Sequence, residues 1–394
     1  MEGTPLAFRT HVSIFGNTNA GKSSLFNSLI GQDMAIVSEV RGTTTDPVTK
    51  AMELLPYGPI ALTDTAGMGD VTEIGGMRAE KTQKVLNKTD FAIYAADCTD
   101  FDDEAYKKAA DSFNRLKIGH ILVFTKSDKA DCTQLLHDYP DALAVSVHDG
   151  KTIELLRDKL IEKLSEKGDG EQTMIGDLLP PGATVVLVIP IDSEAPKGRI
   201  ILPQVQFLRD CLDHGIKAVC VRDTELKETL EELNHVDLVV TDSQAFKFVS
   251  EVVPHSIKLT SFSMMMAKLK GDLPSLIKGA DAIENLEDGS RILMAEACTH
   301  NVSHDDIGRI KIPALLKKYT GKDLKFEYYV HQDFPSNLSE YDLVIHCGGC
   351  MINSRSMINR IEFCREAGVP ITNYGVVLAY VNGITERSRE IFDR

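Results

Sequence analysis

Gly16-Asn17-Thr18-Asn19-Ala20-Gly21-Lys22-Ser23 fits the pattern G-x-x-x-x-G-K-[ST] and stands between an apolar run, His11 to Phe15, and a helical pattern from Ser24 to Leu29. Strand, glycine-bearing loop and helix in that order are the context in which this motif binds nucleotide phosphates. Gly16 and Gly21 let backbone N–H groups close on phosphate oxygens, which makes the loop through Asn17, Asn19 and Ala20 to Ser24 the expected cradle. Lys22 is placed to reach the β- and γ-phosphates, and the Ser23 hydroxyl to coordinate Mg²⁺. A glycine turn followed by a chance Lys-Ser would need none of this context.

The elements downstream select the nucleotide. Ala61 to Thr63 ends an apolar strand and leads into Asp64-Thr65-Ala66-Gly67, a D-x-x-G element. Asp64 is expected to hold Mg²⁺ through water, and the Gly67 amide to sense the γ-phosphate. Ile121 to Phe124 is a further buried strand ending in Thr125-Lys126-Ser127-Asp128. The Asp128 carboxylate can accept from N1 and the 2-amino group of guanine, and adenine has no such donor pair. Hydrogen bonds to a charged group contribute roughly 1.5–3 kcal/mol each, enough to favour GTP over ATP. Ala144 to Val147 reads as the last strand, with Ser146 and Val147 offering backbone contact to the guanine oxygen.

With these elements in order, residues 8–165 resemble a small GTPase domain of the TrmE/Era type. Arg41-Gly42-Thr43-Thr44-Thr45-Asp46 resembles that group's switch I, which implies that Thr44 binds Mg²⁺. The resemblance also places Asn19 at the loop asparagine that ligates K⁺ in potassium-activated members, supplying charge where other enzymes use an arginine finger. Met68 stands where Ras-like enzymes carry a water-orienting glutamine, so intrinsic GTP hydrolysis to GDP is expected to be slow. Thr125 departs from the usual asparagine and Val147 from the usual alanine. Met68 to Asn87 reads as a switch II running into a helix, and Cys98 and Cys132 have no nearby partner in sequence.

The full length, 394 residues, allows two or three domains, and a net charge of −15 argues against nucleic acid or an anionic membrane as the main partner. No apolar run is long enough to span a bilayer, and Met1 to Thr10 lacks a leader pattern, so a cytoplasmic location is expected. The eight cysteines then read as free thiols or metal ligands. A polar, glycine-bearing stretch places a linker at 166–175. Strands alternating with helices over 176–262 imply a parallel sheet. This segment carries no chemistry of its own, with Cys211 and Cys220 read as buried thiols, and is expected to form a homodimer. Met264-Met265-Met266 reads as part of a core helix. The fold class is therefore α/β: a P-loop GTPase domain followed by two further α/β segments with mainly parallel sheets.

Residues 263–394 hold the second chemical site. Apolar strands at Arg291–Ala295 and Tyr341–Ile345 run into Cys298-Thr299-His300 and His346-Cys347-Gly348-Gly349-Cys350, with 45 residues between the two motifs. The Gly348-Gly349 pair lets Cys347 and Cys350 face one centre. Three cysteines and a histidine suit structural zinc. Three cysteines also suit an iron–sulfur cluster with one weakly held position, for which His300, His304, Asp305 and His346 are candidates. Cys364 falls on a helix and reads as core. The residues leave zinc and cluster open.

C-x-H followed by H-C-x-x-C, behind a TrmE-like GTPase and an α/β middle segment, resembles the HydF family of [FeFe]-hydrogenase maturation GTPases along the whole chain. The resemblance implies a [4Fe–4S] cluster on Cys298, Cys347 and Cys350 with an exchangeable fourth ligand. It also implies a diiron CO/CN⁻ precursor as cargo, radical-SAM maturases and apo-[FeFe]-hydrogenase as partners, and an anaerobic host. The GTPase is then expected to time partner binding or release. The competing expectation is a TrmE/Era-like GTPase acting on RNA or ribosomes, with structural zinc.

Overall fold

A computed structural model describes residues 4–31, 36–40, 47–65, 77–166, 173–191, 198, 200–297, 306–330, 334–335 and 337–393, with only the backbone described for 36–40 and 77–81. The chain forms two compact units, Met1–Glu171 and Gln172–Arg394.

The first unit is built on seven strands: β1 (Thr10–Phe15), β2 (Ile36–Val40), β3 (Val48–Leu54), β4 (Gly58–Asp64), β5 (Phe91–Asp97), β6 (Gly119–Thr125) and β7 (Leu143–Ala144). They lie in the order β2-β3-β4-β1-β5-β6-β7. β2, β3 and β4 pair antiparallel, and the others are parallel. Every residue of β1 from His11 to Phe15 is buried, the mark of a central strand covered on both faces. Val12 and Ile14 pack with Leu25, Phe26, Leu29 and Ile30 of the helix Lys22–Ile30. Phe15 faces the opposite layer, with Phe113 of the helix Asp103–Arg115. That helix is capped by Asp102, which accepts from the Ala105 amide at 3.0 Å.

The second unit holds two four-stranded parallel sheets. One comprises β8 (Thr184–Val188), β9 (Lys217–Val221), β10 (Leu238–Thr241) and β11 (Lys258–Ser261), in the order β11-β10-β8-β9. The other comprises β12 (Arg291–Glu296), β13 (Lys325–Val330), β14 (Leu343–His346) and β15 (Ile371–Asn373), in the order β13-β12-β14-β15. The helix Leu273–Ala280 lies close against β15. A Cβ on its Gly279 would fall 1.9 Å from the Ile371 carbonyl oxygen, so only glycine fits. The carboxy-terminal helix Thr385–Arg389 returns to the first of these sheets, where Thr260 Oγ1 donates to Ser388 O at 2.8 Å.

Several local expectations change. β7 stops at Ala144, so Val145 to Val147 is loop rather than strand. Cys220 is exposed, not buried, because β9 is an edge strand; Cys211 is buried. Met264, Met265 and Met266 are buried within the helix Phe262–Lys270, as a core helix requires. Switch I from Arg41 to Asp46, Gly67, Met68 and residues 167–172 of the linker lie outside the described residues. Among the described residues no helix is long and apolar enough to cross a membrane.

Candidate functional site

β1 delivers the chain into the glycine loop at its carboxyl end. Gly16 sits at φ +136°, and a Cβ there would lie 2.0 Å from the Ala95 carbonyl oxygen on β5. Asn19 (φ +63°) and Gly21 (φ +82°) complete the turn into the helix Lys22–Ile30, with Ser23 and Ser24 exposed on its first turn. Lys22 is buried, and its Nζ donates to the carbonyls of Gly16 and Asn17 at 2.7 Å each. Asp64, at the end of β4, is buried and in register with Ile14 of β1. Lys22, the expected catalytic lysine, opens the helix that follows β1, and Asp64, the expected Mg²⁺-site aspartate, ends the neighbouring strand β4.

The Thr125–Asp128 loop, expected to read guanine, is tied to the glycine loop by two side chains, and a third braces Asp128. Buried Thr125 donates toward Ala20 O at 2.8 Å and Ala96 O at 3.1 Å. One hydroxyl proton is shared between two carbonyls here, where an asparagine amide would bring two protons. Lys126, at φ +58°, donates to Asn19 O at 2.8 Å and pairs with Asp97. Ser146 is buried, and its hydroxyl donates to Asp128 Oδ1 at 2.7 Å, which holds the Asp128 carboxyl below its ordinary value. Val147, beside it, is exposed.

The guanine-accepting role expected of Asp128 needs the ionised carboxylate. A depressed pKa keeps that form available as pH falls, and loss of the Ser146 donor moves the acid limit upward. Ser146→Ala is therefore expected to weaken GTP binding roughly tenfold and to raise the pH at which affinity falls. Nucleotide titration calorimetry between neutral and mildly acidic pH checks both. An unchanged acid limit would refute the role given to this hydroxyl.

In the last sheet the crossover from β13 to β14 passes β12, so the chain leaves β12 and β14 on opposite courses. Open α/β sheets hold ligands in the crevice at such a switch point. The His346–Cys350 motif begins there, at the end of β14. Ala295 is in register with His346, the Cys347 amide donates to Ala295 O at 2.9 Å, and the Ala297 amide donates to Cys347 Sγ at 3.2 Å. Cys347 is buried and Cys350 half-buried, separated by Gly348 and by Gly349 at φ +63°. Cys298, His300, His304 and Asp305 lie outside the described residues, and among the described residues no group of three metal-ligating side chains converges.

His346 is fully buried with both ring nitrogens engaged. Nε2 lies 2.6 Å from a guanidinium nitrogen of buried Arg360, and Nδ1 lies 2.7 Å from Cys347 O. A guanidinium only donates, so Nε2 accepts and the proton is on Nδ1. The ring braces the loop, and it could serve as the exchangeable ligand only by giving up one of these bonds.

Three residues that sequence reasoning passed over are built into these sites. Asp97 anchors Lys126. Arg360 holds His346. Lys270, only 2% exposed, donates from Nζ to Gly349 O at 3.2 Å, Cys350 O at 3.1 Å and Ile352 O at 2.7 Å. Burial pulls its ammonium down to about 8, while Cys350 and Cys347 draw it the other way. Helical spacing held the signal for Lys270, which follows buried Met266 by four positions and so falls on the same face.

Residues 174–271 match the family described as the hydrogen maturase F dimerization domain, and residues 274–391 the hydrogen maturase F tetramerization domain. The chain belongs to the hydrogen maturase F family. Residues 11–126 match the family described as 50S ribosome-binding GTPase, so the chain carries a GTPase domain. GTPase Der of Wolinella succinogenes is 32% identical over 165 residues, covering 38% of this chain and 35% of that protein. The tRNA modification GTPase MnmE of Mesoplasma florum is 38% identical over 117 residues, covering 29% of this chain and 25% of that protein. The chain thus spans about a third or less of the length of these curated relatives. Among solved structures, the G domain of the T. maritima FeoB iron transporter covers 40% of this chain and 99% of its own, at 23% identity and a TM-score of 0.32. The family description of 274–391 adds tetramerization, which the sequence reading did not anticipate, to the expected dimerization.

Proposed function

We propose that this chain is a GTP-hydrolysing scaffold of [FeFe]-hydrogenase maturation. In this reading it carries a [4Fe–4S] cluster on Cys298, Cys347 and Cys350 and delivers a diiron precursor to apo-hydrogenase. The observation that carries this is the pairing, within one hydrogen maturase F chain, of a GTPase domain with soft donors at a sheet switch point. The residues fit such a group. Two thiols flank a Gly-Gly turn, a backbone N–H already donates to one sulfur, and a buried ammonium stands behind the loop. A bound cluster would supply a coordination position open to cargo. The chain's own residues hold the sulfurs, exclude water on the Cys347 side and leave Cys350 partly accessible.

Anaerobic reconstitution with iron and sulfide, followed by absorbance and EPR spectroscopy, is expected to give a brown, cluster-type protein. Colourless protein with stoichiometric zinc would overturn the reading in favour of a structural site. GTP binding is expected to change affinity for a radical-SAM maturase or the apo-hydrogenase, and equal affinities of GTP and GDP forms would defeat the timing role. Self-association through 174–271 and 274–391 is part of the proposal. The exposed Val205 and Leu212 on the helix Leu202–Asp213, near edge strand β9, supply apolar surface for it.

A further element of the proposal is a K⁺ site at Asn19, which stands in the glycine loop at φ +63°. Hydrolysis is expected to be at least about tenfold faster in KCl than in NaCl at equal ionic strength. Equal rates in the two salts, measured by phosphate release, would remove the site.

A further inference from the structure

The helix Phe262–Lys270 ends in a side chain that runs under the thiol loop. A buried charge is costly unless paired or multiply hydrogen-bonded. Here three loop carbonyls, those of Gly349, Cys350 and Ile352, converge on the Lys270 ammonium within 3.2 Å. The carbonyl end of its own helix also favours a cation at that point. The loop has little freedom besides. Gly349 adopts φ +63°, in the left-handed region that favours glycine. Asn353 caps the following helix, Ser354–Glu366, by accepting from the Ser356 amide at 3.2 Å. On the strand side, His346 ties Cys347 O to Arg360.

We propose that Lys270 is a positioning residue of the metal loop: the loop folds around its ammonium so that Cys347 and Cys350 address one centre, and its charge raises the reduction potential of an iron–sulfur group held there. The electrostatic half of the proposal rests on the cluster reading above, and the positioning half does not. A fixed positive charge beside a cluster favours the reduced form, which carries one more electron, and net charge and nearby hydrogen bonds are the protein's main means of setting such potentials. A flexible thiol loop would need no buried cation, so the arrangement points to a site kept in shape before metal arrives.

The test compares full-length wild type with Lys270→Met, with Lys270→Arg as the charge-retaining variant. In the apo proteins, amide hydrogen exchange over 347–352 is expected to be at least about tenfold faster in Lys270→Met. In reconstituted proteins, EPR-monitored redox titration is expected to give a lower potential in Lys270→Met. The reduced-to-oxidised ratio at the wild-type midpoint should fall about tenfold, equivalent to about 59 mV for one electron. Lys270→Arg is expected to keep the potential near that of wild type. Far-UV circular dichroism and resistance of residues 172–394 to limited proteolysis report folding of the unit that holds Lys270. If Lys270→Met does not accumulate folded, Lys270→Gln is read in the same way. Unchanged exchange over the loop would overturn the positioning role, and an unchanged potential the electrostatic one. A wild type that takes up no iron would defeat the cluster reading, leaving the exchange result to decide for Lys270.

Discussion

Replacing Lys22 with Ala is expected to lower GTP hydrolysis by about 10²–10³-fold, the usual cost of removing one preorganised group from a developing charge. The structure gives the substitution two effects. The ammonium bridges the carbonyls of Gly16 and Asn17 and so cross-links the loop it serves. With nucleotide the same cation is placed to turn to the β- and γ-phosphates, exchanging two carbonyls for phosphate oxygens without rebuilding the loop. Alanine removes both functions, and Lys22→Arg restores the charge without the compact fit, so it is expected to recover little. Phosphate release at saturating GTP, together with nucleotide affinity, separates the effects: loss of binding alone would leave the rate at saturation intact. A Lys22→Ala protein hydrolysing GTP within about threefold of wild type would remove this lysine from the mechanism.

Most of the nucleotide site was legible because its chemistry is local in sequence. The glycine loop, D-x-x-G and the Thr125–Asp128 loop each sit at the carboxyl end of an apolar strand, and hydrophobic runs mark those ends well. Cross-links between the loops were not legible. Nothing near Thr125 announces that its hydroxyl reaches Ala20, 105 positions away, and the short strand β7 hid Ser146 as a side-chain partner of Asp128. In the second unit the sequence singled out Cys347 and Cys350 but not the crevice at which they stand. That depends on strand order β13-β12-β14-β15, which spacing alone does not determine. Lys270 shares the last turn of the helix Phe262–Lys270 with Lys268. Only packing distinguishes it from Lys268, which instead donates to Thr173 O at 2.6 Å.

Replacing Cys347 or Cys350 with Ser is expected to reduce bound iron from about four atoms per chain to fewer than about one and to bleach the protein. A serine hydroxyl remains protonated at neutral pH and offers a harder oxygen than iron–sulfur groups select. The two variants should differ in the apo state. Cys347 Sγ accepts from the Ala297 amide and its own amide holds Ala295 O, so the shorter C–O bond loosens the contact between the β12 and β14 ends. Cys350 is half-buried and contributes its carbonyl to Lys270, which serine preserves, so Cys350→Ser is expected to melt near wild type. Cys364→Ser supplies the contrast. That thiol is fully buried, burial pushes it up to about 12, and it packs in the core cluster around the last sheet. Its substitution is expected to retain iron while costing about 1–3 kcal/mol for a buried hydroxyl. Iron and sulfide analysis with thermal unfolding of the three variants distinguishes the outcomes. Full iron in both Cys347→Ser and Cys350→Ser would move the metal away from this loop, whereas loss of iron in Cys364→Ser at unchanged stability would make Cys364 a ligand.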